Sequence, residues 1–252
     1  MKFRRGEIAR FYGRSPENEA ILAERQKWLK RSPDLYARAL PSAEPLLEEA
    51  IELADSLQIT VRAGSDVSET ILNLGGCWEP DLLILRAPSG ASQPELLAGA
   101  VCFPSSWALE EKIGQALDFI HAPVPTLNDQ FASPVQQFLA RIKPGISWER
   151  INWGLSRSPE LNQHPSRQLA RLDANVALEE VWFRAEYQSL AALPKSGGVL
   201  FGIRLVIEPL TRLRNDPAFA SGLARAIQTM PEAIARYKGV FSARERLLEL
   251  LT

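Results

Sequence analysis

Three stretches in the second half of the chain alternate apolar and polar residues with period two, a period that commits them to extended strands. From Glu149 to Leu155, the residues Ile151, Trp153 and Leu155 fall on one side and Arg150 and Asn152 on the other. From Val181 to Gln188, the set Arg184, Glu186 and Gln188 faces away from Val181, Phe183, Ala185 and Tyr187. The third stretch, Gly198 to Ile207, carries Arg204 as its one charged position. Pro194 to Gly198 lies between the last two, and its paired glycines tolerate the positive φ of a hairpin loop. These stretches predict an antiparallel sheet.

Helical patterns flank the sheet. Ser15-Pro16 opens a helix carrying Ile21, Leu22, Trp28 and Leu29, and a second opens near Ser42 with Leu46, Leu47, Ala50, Ile51, Ala54 and Leu57 inward. Shorter strands are predicted at Ile59–Val61, Asp81–Leu85 and Leu97–Phe103, with a capped helix from Asp66 to Gly75-Gly76 between the first two. Ser133-Pro134 opens a helix with Val135, Phe138, Leu139 and Ile142 inward. Asp216-Pro217 starts the C-terminal helices, with shorter ones over Glu232 to Tyr237 and Ala243 to Leu251. Helices, then strands, then helices give an α+β class. The expected organisation is a helical N-terminal arm, residues 1–57, and an antiparallel sheet domain flanked by helices, residues 58–252.

The 252 residues hold enough chain for a sizeable core, and the formal net charge of -1 carries no sign of a nucleic-acid or anionic-membrane partner. No apolar run follows the basic Lys2 to Arg5, so a soluble, cytoplasmic protein is expected. Cys77 and Cys102 sit among apolar residues without a CxxC partner, which argues against a disulfide framework or a structural zinc site.

Of two histidines, His164 lies in a polar loop and is expected to be exposed. His121 is different. It closes a predicted helix capped by Ser106, on a face with Ile113, Leu117 and Ile120, and Pro123 and Pro125 follow it. An imidazole so placed is either a buried histidine bonded to a backbone carbonyl or an oriented ligand. Arg184, Glu186 and Gln188 likewise read as a solvated sheet face or as a pocket wall. Arg204 lies among apolar residues, and a buried guanidinium needs a partner; Glu186 is the expected one. Elbow, phosphate-loop, dinucleotide and zinc-protease motifs are all missing from the sequence.

Several motifs then resemble one family, in order: Val101 to Trp107, Glu111 to Gly114, Ile120 to Pro125, Arg150 to Trp153, Arg184-Ala-Glu186 with Gln188, Leu193-Pro, Val199 to Arg204, and Ala235 to Gly239. They are similar to the successive motifs of the heme-dependent oxidative N-demethylase alpha-subunit-like family, from about Leu97 to about Gly239. Where that family commonly has Arg-x-Glu-Arg-Gln, Tyr187 stands in place of the second arginine. The N-terminal portion looks shorter than in typical members.

The resemblance implies a PAS-like domain binding heme b. It implies a monooxygenase subunit that removes a methyl group from a small secondary amine such as dimethylamine, using dioxygen. Electrons would come from NADPH through flavin and iron–sulfur partner subunits. Carried over by position, His121 is the axial ligand to iron, Arg184 and Arg204 hold the cofactor, and Glu186 and Arg184 are the catalytic pair, Glu186 meeting the substrate amine. The alternative is a PAS-like heme or small-molecule binding protein without oxidase activity.

Overall fold

The computed structural model describes residues 3–86, 93–125 and 134–252. Its strands are β1 (Arg4–Gly6), β2 (Ala37–Ala39), β3 (Asp81–Arg86), β4 (Glu95–Ala100), β5 (Ser147–Ser156), β6 (Trp182–Leu193) and β7 (Gly198–Pro209). Before the long strands come helices α1 (Ile8–Tyr12), α2 (Asn18–Arg31), α3 (Pro33–Tyr36), α4 (Glu44–Ser56), α5 (Val67–Cys77), α6 (Leu117–His121) and α7 (residues 134–139). After them come α8 (Leu210–Leu213), α9 (Pro217–Thr229), α10 (Glu232–Tyr237) and α11 (Arg244–Leu251).

The strands form one open antiparallel sheet in the order β1-β5-β6-β7-β3-β4-β2. The fold is therefore α+β, an antiparallel sheet flanked by helices, as the sequence predicts. The three alternating stretches are its longest strands, and β6 and β7 pair in unbroken register from Trp182↔Pro209 to Leu193↔Gly198. Directly opposed residues share a face. One face carries Arg150, Asn152, Arg184, Glu186, Gln188, Phe201 and Ile203; the other carries Ile151, Trp153, Ala185, Tyr187, Ser189, Gly202 and Arg204.

Helices α1, α2, α4 and α5 cover the second face beside β3, β4 and β7. Tyr12, Trp28, Leu47, Ile71, Leu74 and Trp78 pack there on Leu82, Ile84 and Leu200. Gly202 is required at this contact, since a Cβ would lie 2.6 Å from the Tyr12 ring. That close approach lets Tyr12 donate to the carbonyls of Ser189 and Leu200. At the far end of β5 and β6, Leu155 shares a core with Leu223, Ile227 and Leu247 of α9 and α11. The first face is covered in part by residues 107–120 and by α7, through Leu83, Leu85, Leu139, Leu190 and Val199.

The structure corrects four local expectations. Residues 59–61 form no strand, although Ile59 and Val61 are buried in the core. The N-terminal residues supply two short strands as well as helices; β1 pairs with β5 and β2 with β4. No single helix runs from Ser106 to His121. Ser106 takes a positive φ of 63°, a 3-10 turn covers Leu109–Glu111, and Gly114 turns the chain at a φ of 79°. Backbone bonds to β4 from the 114–117 segment, Gly114 N–H to Leu96 and Leu96 N–H to Gln115, replace helical ones, so α6 spans only Leu117–His121. His164, expected to be exposed, is 4 % exposed. Ser133, the expected helix cap, lies outside the described residues.

Candidate functional site

On the first face, β5 and β6 bring four polar side chains into one row. Register sets Arg150 opposite Gln188 and Asn152 opposite Glu186. Arg150 Nε donates to Gln188 Oε1 at 2.6 Å, Gln188 Nε2 to Glu186 Oε2 at 2.8 Å, and Asn152 Nδ2 to the same oxygen at 3.1 Å. Lys238, just past α10, reaches over the outer edge of β5, donating to Asn152 Oδ1 at 3.3 Å and to the Trp153 carbonyl. The result is a chain of five side chains, Arg150, Gln188, Glu186, Asn152 and Lys238, with the carboxylate at its centre. Both ends are cationic, and burial lowers the pKa of each.

His121 ends α6 within the electrostatic reach of Arg150. Burial first, and the Arg150 guanidinium second, push its imidazole down to about 4. At neutral pH it is therefore uncharged, the form in which imidazole binds a metal. Its ring makes no hydrogen bond among the described residues. Among those residues no three His, Cys, Asp or Glu side chains converge on a metal-sized site. A lone neutral imidazole fits an axial role in heme, which needs one protein ligand and takes its other iron ligands from the porphyrin.

The other expected site residues divide. Arg184 shares the face of Glu186, but it is 3 % exposed and spends its terminal nitrogens on the Glu160 carbonyl at 2.8 Å, the Leu161 carbonyl at 3.0 Å and Ser105 Oγ at 3.3 Å. Its Nε is buried without a partner among the described residues. Burial lowers this guanidinium to about 10. Arg204 leaves the site altogether. Glu186 pairs in register with Leu205, so its neighbour Arg204 points to the opposite face. There it forms an ion pair with Glu79 and donates to the carbonyls of Phe11 and Gly13. The expected Glu186–Arg204 pair does not form.

Gln188, read from the sequence as part of a possible pocket wall, lies in the cluster, and Asn152, Arg150 and Lys238, given no site role from the sequence, join it. The alternation of 149–155 already put Arg150 and Asn152 on the face opposite Trp153. Lys238 had no such signal, because its approach depends on how the C-terminal helices fold back. His164 serves the scaffold: its Nδ1 accepts from Ser166 N–H, its Nε2 lies 3.2 Å from Glu110, and Tyr36 packs edge-on at 5.6 Å. A surface cleft of about 520 Å³ lined by Arg4, Arg5, Glu7, Arg10 and Glu149 lies at β1 and contains none of the candidate residues.

Among the described residues, the sheet scaffold thus carries one imidazole without a hydrogen bond, electrostatically coupled to the Arg150 end of an ionic cluster. Residues 19–248 match the family model described as haem-dependent oxidative N-demethylase, alpha subunit-like, and the chain belongs to that family. Its description carries heme dependence and a place in a multi-subunit enzyme. Among the described residues no helix is long and apolar enough to cross a membrane.

Proposed function

We propose that this chain binds heme b on the first face of a PAS-like sheet, with His121 as axial ligand, and acts as the monooxygenase subunit of an oxidative N-demethylase. The substrate in this reading is a small secondary amine such as dimethylamine. The observation that carries it is His121 itself, neutral, partly buried and without a hydrogen bond among the described residues, beside a cluster centred on one carboxylate. A bound heme would supply oxidation of the N-methyl group by dioxygen, with two electrons from NADPH through flavin and iron–sulfur partners, giving methylamine, formaldehyde and water.

The chain's own residues have narrower tasks. His121 orients the cofactor from a short helix whose ends are tied to β4 and to the Pro123 turn. Glu186 meets the substrate cation. Arg184 fixes the loop of Glu160 and Leu161 against the sheet and so walls the site. Arg204 has no place in this reading, because it faces the other way.

A visible spectrum of protein purified with heme supplied, beside His121→Ala, tests the assignment. A Soret band that shifts or is lost in the variant is expected, followed by formaldehyde release from dimethylamine with a reductase. Absence of stoichiometric heme in the wild type would overturn the reading. Full loading without turnover on any small methylamine would favour the binding protein over the enzyme.

A further inference from the structure

Glu186 is held in an unusual way. Three cations, Arg150, Arg184 and Lys238, influence or are influenced by its charge, yet among the described residues none lies within ion-pair distance of it. Two of them act through an amide instead. Arginine and lysine have only donors to offer, so Arg150 must meet the amide oxygen of Gln188 and Lys238 that of Asn152. Each cation thereby turns the NH₂ end of its amide toward Glu186, and both NH₂ groups land on the same oxygen, Oε2. Oε1 accepts no hydrogen bond among the described residues.

We infer that Gln188 and Asn152, each oriented by its cation, are positioning residues that leave Glu186 Oε1 as a single fixed acceptor for a protonated amine carrying at least one N–H. The inference rests on the function proposed above and deepens it by assigning the residues that set selection among ammonium ions at that site. A secondary ammonium ion donates an N–H to Oε1. A quaternary ion of the same charge has no hydrogen to offer, and it meets two cations in the site without that compensation. The arrangement thus selects by hydrogen-bond donation rather than by charge alone, and loss of a required hydrogen bond discriminates more sharply than a change of apolar bulk.

Calorimetric titration of the heme-loaded protein with dimethylammonium chloride and with tetramethylammonium chloride tests this. The wild type is expected to prefer dimethylammonium by at least tenfold. Gln188→Met and Asn152→Leu are each expected to shrink that preference several-fold while leaving the Soret band intact. Arg150→Met is expected to shrink it by freeing Gln188 to rotate, and Arg150→Lys to restore most of it. Equal binding of the two cations by the wild type would overturn the inference while leaving heme binding untouched. So would variants that weaken both cations alike, since that reports damage or loss of general charge rather than a lost acceptor. Failure of the wild type to take up heme would instead overturn the underlying reading, and this inference with it.

Discussion

Two ionic clusters at this sheet each set an arginine near a carboxylate, and they reach opposite ends. At the start of β3, Arg25 and Asp81 are 0 % and 3 % exposed, and each side-chain nitrogen of Arg25 and both oxygens of Asp81 take part in a hydrogen bond. Arg25 donates to Asp81 and to the carbonyls of Gly75 and Ala100, while Asp81 also accepts from the backbone of Cys102 and Phe103. On β5 and β6, among the described residues, Glu186 accepts on one oxygen of two and Arg150 donates only from its Nε. The closed cluster can only hold the protein together. The open one keeps bonding capacity for something that arrives from outside, which is why we place function there. A buried ion pair is weak evidence of stability gained, but breaking it leaves a charge stranded.

Substitutions should separate the two. Asp81→Ala strands the Arg25 guanidinium and is expected to lose about 3–5 kcal/mol in urea denaturation, the largest effect of this set. Retention of wild-type stability would mean that water enters the closed cluster and that the contrast is false. Arg204→Met, which removes charged hydrogen bonds to Glu79 and two carbonyls, is expected to cost about 1.5–3 kcal/mol and to leave heme uptake unchanged. Weakened heme uptake there would return Arg204 to the site and break the two-face description.

His121 sharpens the comparison through pH. Its folded pKa of about 4 lies below the ordinary histidine value, so the folded state binds this proton less readily than the unfolded one. Its contribution to stability is full above about pH 6.5 and is lost as pH falls toward 4. The apoprotein is expected to lose stability across that window, and His121→Ala to lose less; identical profiles would show the imidazole to be freely solvated. The smallest change is expected for Glu186→Gln, within about 1 kcal/mol in denaturation, because an open cluster carries little of the fold. The same variant should nonetheless lose the preference for dimethylammonium.

Much of this was legible in the sequence because strand alternation is a local signal. The split of Arg184, Glu186 and Gln188 from Tyr187 on β6 follows from period two alone, and Asp66 and Asp216 cap α5 and α9 where their spacing predicts. What failed depends on distant partners. The side on which Arg204 points is set by the register of β7 on β6, and a shift of one residue reverses it. The 106–121 segment has helical spacing, yet Gly114 and the start of β4 turn its backbone bonds elsewhere. The three-residue strands β1 and β2 exist only because β5 and β4 offer edges to them. His164 sits in a polar stretch and is buried by Tyr36 and Glu110, which come from two other parts of the chain.

The placement of β3 between β4 and β7 has a consequence during synthesis. β3 finds β4 almost at once, but its other edge, Asp81 to Arg86, waits for Gly198 to Pro209. At about 5–20 residues per second, the ribosome leaves that edge unpaired for roughly 6–25 s. Leu82, Ile84 and their neighbours are exposed along it throughout, shielded on one side only by the helices already made. A nascent chain stalled before Gly198 would present a bare apolar strand edge, and cellular quality control would meet that edge long before any finished pocket existed.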